Sequence, residues 1–264
     1  MELNNHFKCF LLSLLIALLY PNGVRGQSFY SEGNITSVSL SSGQFQYKEG
    51  QINKLRNDGA GISLALNHGF GGRGLQHELE MELIYASLKN RYDMSSFIAG
   101  YSLEYSVKKN MQLILPGGFI NYSSFLYENA NFDGHHNYWL SSVTVGADPT
   151  GRLVIGDKKV LFFTIKVPLF GIISRPECDR YLVLNEPDIN KWDVVKRMNR
   201  KYLFSLIGTD FFIIKLKTSY LFTMKNGKMM SLGYNFSYLE TWMQSKNQLL
   251  SNTLTITYQI SRAK

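Results

Sequence analysis

Apolar and polar residues alternate one for one along most of this chain, in stretches of about ten residues or more. Leu79, Met81, Leu83 and Tyr85 alternate with Glu78, Glu80 and Glu82. Phe97, Ala99, Tyr101, Leu103, Tyr105 and Val107 alternate with Ser96, Ile98, Gly100, Ser102, Glu104 and Ser106. Leu161 to Leu169, Phe212 to Phe222 and Met230 to Tyr238 repeat the pattern. So does the C-terminal stretch, where Leu254, Ile256, Tyr258 and Ile260 oppose Thr253, Thr255, Thr257 and Gln259. Period two is the signature of β-strands with one apolar and one polar face.

Segment length separates two ways of using such strands. A soluble sandwich turns the apolar face inward and uses strands of about 5–6 residues, whereas crossing a bilayer takes about 9–11 tilted residues with the apolar face outward. The pattern predicts ten strands over 35–47, 60–70, 75–88, 96–107, 111–126, 137–147, 159–172, 201–224, 229–242 and 252–262. Short connections (71–74, 108–110, 225–228) alternate with longer polar ones (48–59, 89–95, 127–136, 173–200, 243–251), the plan of a barrel with tight turns at one end and loops at the other. Asn226-Gly227 reads as a two-residue hairpin turn with positive φ at both positions. Two segments fit poorly: 148–158 is long for a tight turn, and 201–224 is long for one strand. They widen the expected range to 8–12 strands. Aromatics near segment ends (Tyr85, Tyr92, Tyr122, Tyr127, Tyr138, Trp139, Tyr238, Trp242) read as interfacial girdles.

The first residues change the address. Polar Met1–Lys8, apolar Cys9–Tyr20 and helix-breaking Pro21-Asn22-Gly23 read as a secretory leader, with cleavage expected before Gln27. The domains are therefore a signal peptide over 1–26 and a barrel over 27–264. Cys178 is then the only cysteine left, which excludes an internal disulfide and fits a bacterial envelope protein. Charged residues make up 18% of the chain, too few for a nucleic-acid surface, and export argues against that partner. The balance is basic, +8 overall and about +7 without the leader, which suits anionic lipid head groups.

Leader, alternating strands, tight turns and the amphipathic last strand 252–262 together resemble the small outer-membrane β-barrel proteins of Gram-negative bacteria. The resemblance implies an all-β, antiparallel, up-and-down transmembrane barrel of about ten strands, placed in the outer membrane, with outer-membrane lipid and other envelope proteins as partners. The chain departs from that pattern at its end. Such barrels commonly finish on an aromatic residue, and this one finishes Ile260-Ser261-Arg262-Ala263-Lys264.

Candidate chemistry is sparse. Gly69 to Gly74 satisfies G-x-G-x-x-G, but a strand rather than a helix follows, so it reads as a hairpin and not a dinucleotide site. Adjacent His135 and His136, near Glu128 and Asp133, point to opposite sides of an extended chain and chelate poorly, so no metal is expected. Ser123, Ser124, Ser141 and Ser142 flank that loop, which makes His136 and Ser141 the candidate pair for a lipid hydrolase, without a nucleophile-elbow motif. No cofactor motif is present.

Charges on the polar face carry more information. Glu78, Glu80, Glu82 and Glu104 are expected to point into the lumen on two adjacent strands, with Lys166, Lys215 and Lys217 across from them. Either they plug the barrel as Glu–Lys pairs or they line a narrow porin-like pore. Segment 187–198 predicts a short helix with Ile189, Trp192 and Val195 on one face. It would either cover the barrel mouth or lie on the membrane, bringing Lys191, Lys196, Arg197 and Arg200 to lipid head groups. Three functions follow: a non-enzymatic outer-membrane barrel (scaffold, narrow channel or envelope-complex component), an outer-membrane lipid hydrolase, or a soluble exported β-barrel or sandwich that binds a ligand.

Overall fold

In the computed structural model the described residues are 34–49, 53–72, 75–89, 92–105, 114–115, 117–129, 138–155, 159–176, 199–205, 211–224, 227–241 and 246–263. They form β1 (Asn34–Glu49), β2 (Asn53–Gly72), β3 (Leu75–Leu88), β4 (Tyr92–Tyr105), β5 (Ile114–Leu115), β6 (Gly117–Asn129), β7 (Tyr138–Ala147), β8 (Thr150–Val154), β9 (Lys159–Pro176), β10 (Asn199–Ser205), β11 (Phe211–Thr223), β12 (Met229–Thr241) and β13 (Asn247–Ala263). Every pairing is antiparallel, and the sheet runs β11-β12-β13-β1-β2-β3-β4-β6-β7-β9, closing through β9 on β11. The fold is a closed up-and-down barrel of ten strand lines.

Thirteen strands make ten lines because three lines are interrupted. β5 continues β6, since β5 pairs with β8 just beyond the β6–β7 ladder. β7 and β8 pair with consecutive stretches along one edge of β9. Between them Pro149 has no N–H to give, yet the ladder persists: Asp148 N donates to Gly117 O at 3.1 Å, and Pro149 O accepts from Ile165 N at 3.2 Å. β10 and β11 likewise share the other edge of β9. β8 within 148–158 therefore continues the line of β7, β10 and β11 make one line of 201–224, and the count is ten rather than twelve.

One register feature overturns the alternation expected through Leu169. Gly146 pairs with Pro168 and Val145 with Phe170, so Leu169 is an extra residue in β9. Proline cannot donate to the ladder, and a bulge absorbs the defect. Beyond it the faces exchange, so that Phe170 and Ile172 are exposed while Ile173 is fully buried.

The apolar belt faces outward. Tyr220, Leu232, Ile256, Leu40, Leu64, Leu83 and Phe97 are successive partners across seven strands and form one row around the wall. Leu83 is 59% exposed and Leu40 56%. A soluble sandwich or ligand-binding barrel would put this face inside, so the structure corrects that expectation. At the seam of β9, β11 and β12, outward Ile165, Val167, Phe212 and Ile214 are instead buried against one another and against Leu216, Phe236 and Tyr238.

Strands also run further toward the loop end than the expected 48–59, 89–95 and 243–251 connections allow. β1 ends at Glu49, β2 starts at Asn53, β4 at Tyr92 and β13 at Asn247. The Asn226-Gly227 turn differs too. Gly227 N donates to Met224 O at 3.0 Å, Met224 N donates to Lys228 O at 2.8 Å, and Gly227 has φ of 80°. The hairpin closes at Met224 and Lys228, with Gly227 in the left-handed position that ends a three-residue loop, rather than as the second centre of a two-residue turn. The G-x-G-x-x-G glycines Gly69 to Gly72 lie within β2 and pair with Leu75 to Glu78, as a hairpin requires. The expected leader 1–26, the connection 108–110 and the segment 187–198 lie outside the described residues.

Candidate functional site

The inner wall divides into three tiers. At the loop end, Phe45, Tyr47, Leu88, Met94, Phe125 and Ile173 form an apolar plug with Tyr92, Tyr127, Leu140 and Ala86. Tyr47 and Tyr127 have ring centres 4.2 Å apart, and Tyr92 stacks on Tyr127 at 4.6 Å. Tyr92 and Tyr127 are thus 6% and 3% exposed inside the barrel, not members of an outer girdle, which corrects that expectation. Tyr85 and Tyr122 do face outward. Room for the plug comes from β2: a Cβ on Gly61 would sit 2.7 Å from the Phe45 ring and 2.6 Å from Ala86 Cβ. Hydrogen bonds tie this tier together, Asn57 Nδ2 donating to Tyr127 Oη at 2.7 Å and Arg175 Nη1 to Thr241 Oγ1 at 3.3 Å.

The middle tier is hydroxyl-lined. Ser39 meets Thr257 at 2.8 Å, Ser41 meets Thr255 at 2.8 Å, and Asn235 Nδ2 donates to Thr255 Oγ1 at 2.8 Å. Period two puts these small polar residues opposite the outward leucines of the same strands. A cavity of about 190 Å³ lies here, bounded by Phe45, Met94 and Phe125 on one side and by Glu80 and Lys166 on the other.

Glu80 and Lys166 form the one lumen ion pair under 4 Å among the described residues, with Lys166 Nζ donating to Glu80 Oε2 at 3.2 Å. Glu80 comes from β3 and Lys166 from β9, so the bond crosses the lumen. Gly100, opposite Glu80 on β4, leaves the carboxylate its path. Lys166 also lies 6.0 Å from the centre of the Phe119 ring. Lys215 and Lys217 face the same space beside Glu82, without a direct ion pair. The expected row of Glu–Lys pairs is therefore one pair with further charges around it.

The third tier, at the turn end, is a cavity of about 260 Å³ reached by Glu78, Glu80, Glu104, Asp148, Lys166 and Lys217. Thr150 Oγ1 donates to Glu104 Oε1 at 2.9 Å and meets Thr164 Oγ1 at 3.1 Å. Asp148 was not legible as a site residue. It keeps the inward phase of Ser142 and Thr144 but lies one residue beyond the expected strand 137–147.

The remaining candidates do not assemble. Ser141 lies on the outer wall and meets Ser124 at 3.3 Å, whereas Ser142 faces inward and meets Ser123 at 2.7 Å. His136, with His135, Glu128's side chain and Asp133, lies outside the described residues, as do Lys191, Lys196 and Arg197. Arg200 is placed only by its backbone, paired with Arg175. Among the described residues no three His, Cys, Asp or Glu side chains could hold a metal ion. An outer cluster went unnoticed in the sequence. Phe70 stacks on His77 at 5.0 Å, and His77 Nδ1 meets Tyr101 Oη at 2.7 Å. These pairs are outward and near the turns, where an interfacial girdle sits.

No protein-family model matches the chain, and no curated protein matches its sequence. Solved structures similar to it are outer-membrane proteins. The translocator domain of the autotransporter NalP from Neisseria meningitidis is 8% identical, with 97% of this chain and 95% of that chain covered and a TM-score of 0.38. The outer membrane protease OmpT from Escherichia coli is 9% identical over 89% of this chain and 99% of that chain, with a TM-score of 0.44. Ail, the attachment invasion locus protein of Yersinia pestis, is 12% identical over 87% of this chain and 100% of that chain, with a TM-score of 0.28.

Proposed function

We propose that this chain is a non-enzymatic barrel of the bacterial outer membrane whose lumen is closed, so that it serves the envelope as an anchored scaffold or binding protein rather than as an open channel. The observation that carries this reading is the combination of an outward leucine-rich belt with an apolar plug across the loop end of the lumen. A belt of this kind exposes large apolar area and is stable only against lipid. β3 has 14 residues, about 45 Å of strand, so even tilted at about 40° it exceeds the roughly 25 Å apolar band of such barrels. Plug residues such as Phe45, Met94 and Ile173 are each at most 2% exposed, so apolar side chains pack together across this end of the lumen.

A lipid hydrolase is not favoured by any contact of Ser141, whose hydroxyl meets another serine. Reconstitution into planar bilayers tests the proposal. The expected result is a heat-modifiable band in the outer-membrane fraction and no stable single-channel conductance. Stepwise conductance from the purified protein would overturn the closed-lumen reading, and recovery as a detergent-free soluble protein would overturn the membrane reading.

A further inference from the structure

The turn-end cavity has an unbalanced chemistry that the closed-lumen reading does not use. Among the described side chains four carboxylates reach it (Glu78, Glu80, Glu104, Asp148) against two ammonium groups (Lys166, Lys217). Lys166 is held by Glu80, which leaves Lys217 facing Glu78, Glu104 and Asp148 among these described groups. Excess charge in a low-dielectric lumen needs a counter-charge.

A second observation comes from neutral as well as acidic side chains. Asp148 is 2% exposed and its Oδ1 has no hydrogen-bond partner. Asn67, 7% exposed where the two cavities adjoin, gives its Nδ2 to Ser39 Oγ at 3.4 Å and leaves Oδ1 without a partner. Asn235 Oδ1, on the wall of the middle cavity, is in the same condition. Among the described residues, every buried polar side-chain atom without a partner on these two cavities is an acceptor. Buried acceptors are normally satisfied, so the space calls for a molecule rich in donors.

A metal ion is the wrong donor, because the acidic groups do not converge on a point. An elongated cation suits them better. Ammonium groups can meet separated carboxylates one at a time, and the aliphatic segment between them has Phe162, Leu221 and Met229 to lie against. About 260 Å³ is ample, since one water-sized probe occupies only about 10–15 Å³.

We propose that the turn-end cavity is a binding site for a short aliphatic diamine, with Glu78, Glu104 and Asp148 facing its ammonium groups and Asn67 Oδ1 accepting a hydrogen bond from one of them.

Calorimetric titration of the full chain, folded in detergent and checked by gel shift, tests the site. The probes are 1,4-diaminobutane, n-butylamine and magnesium ion. Saturable binding of one diaminobutane per chain is expected, with butylamine and magnesium at least tenfold weaker. Glu104→Gln and Asp148→Asn, nearly isosteric and expected to fold, should each weaken diaminobutane at least tenfold. Failure of the folded protein to bind diaminobutane, equal binding of butylamine, or full affinity in both variants would overturn the proposal. Conductance of the same preparation separates the two readings: channels would strike the closed lumen, whereas a silent barrel that binds no diamine would strike only this site.

Discussion

Glu80 and Lys166 meet at 3.2 Å across the lumen although three strands, β4, β6 and β7, separate their own strands on the barrel wall. Their bond therefore ties opposite walls together and divides the polar lumen into two cavities. Removing one partner leaves an uncompensated charge, worth about 3–5 kcal/mol when fully buried. Each side chain here keeps about a quarter of its surface accessible (27% and 23%), so a smaller loss is expected. Glu80→Gln should lower unfolding stability in detergent by about 2–3 kcal/mol. The double variant Glu80→Leu/Lys166→Met should recover most of that loss. A denaturant titration of wild type, single variants and double variant checks this, and additive losses would show the pair to be uncoupled.

The plug predicts a different response. Phe45 fills the space that Gly61 leaves open, and truncating it leaves a cavity rather than a stray charge. Phe45→Ala should cost about 3–5 kcal/mol. Gly61→Val should also destabilise, because its side chain meets the Phe45 ring and the Tyr85 carbonyl. Combined with Phe45→Ala, Gly61→Val should be less harmful than the two separate losses imply. Melting of the heat-modifiable band across the four proteins reads this coupling.

How much of this was visible in the sequence depends on the tier. Along the outward apolar belt, Leu79, Met81 and Leu83 contrast with inward Glu78, Glu80 and Glu82. Period two alone therefore assigns both face and lumen charge. At the loop end the contrast disappears. Phe45, Tyr47, Leu88, Met94 and Tyr127 point inward, so apolar residues no longer mark the outer face, and strand there reads as loop or girdle. The breaks at Pro149 and Pro168 were opaque for another reason. A proline signals an interruption but not whether the ladder resumes in line, which only the partner strand decides, β9 for Pro149 and β7 for Pro168. Asp148 is in phase with inward Ser142 and Thr144, and only the early end expected for that strand hid it.

Ser141 offers a check on the hydrolase alternative. Its hydroxyl meets Ser124 on the outer wall, and losing that one contact should cost under about 1 kcal/mol. Ser141→Ala should leave stability nearly unchanged and produce no change in phospholipid turnover by purified protein in mixed micelles. Abolition of a measurable wild-type activity would instead make Ser141 a nucleophile.

Depth along the wall gives the most direct test of lipid contact. Met81 and Leu75 both face outward on β3, Met81 near the middle of the strand and Leu75 at its turn end. Arginine on the lipid face costs about 2–4 kcal/mol at the bilayer midplane and about 0–1 near the interface. Met81→Arg should therefore reduce folding stability in phospholipid vesicles several times more than Leu75→Arg. In water the order has no reason to hold, because both positions are solvent-accessible, 51% and 37% exposed. Equilibrium folding into vesicles over a urea series measures both. Equal penalties would mean that β3 does not cross the bilayer, since only a membrane makes depth along the strand count.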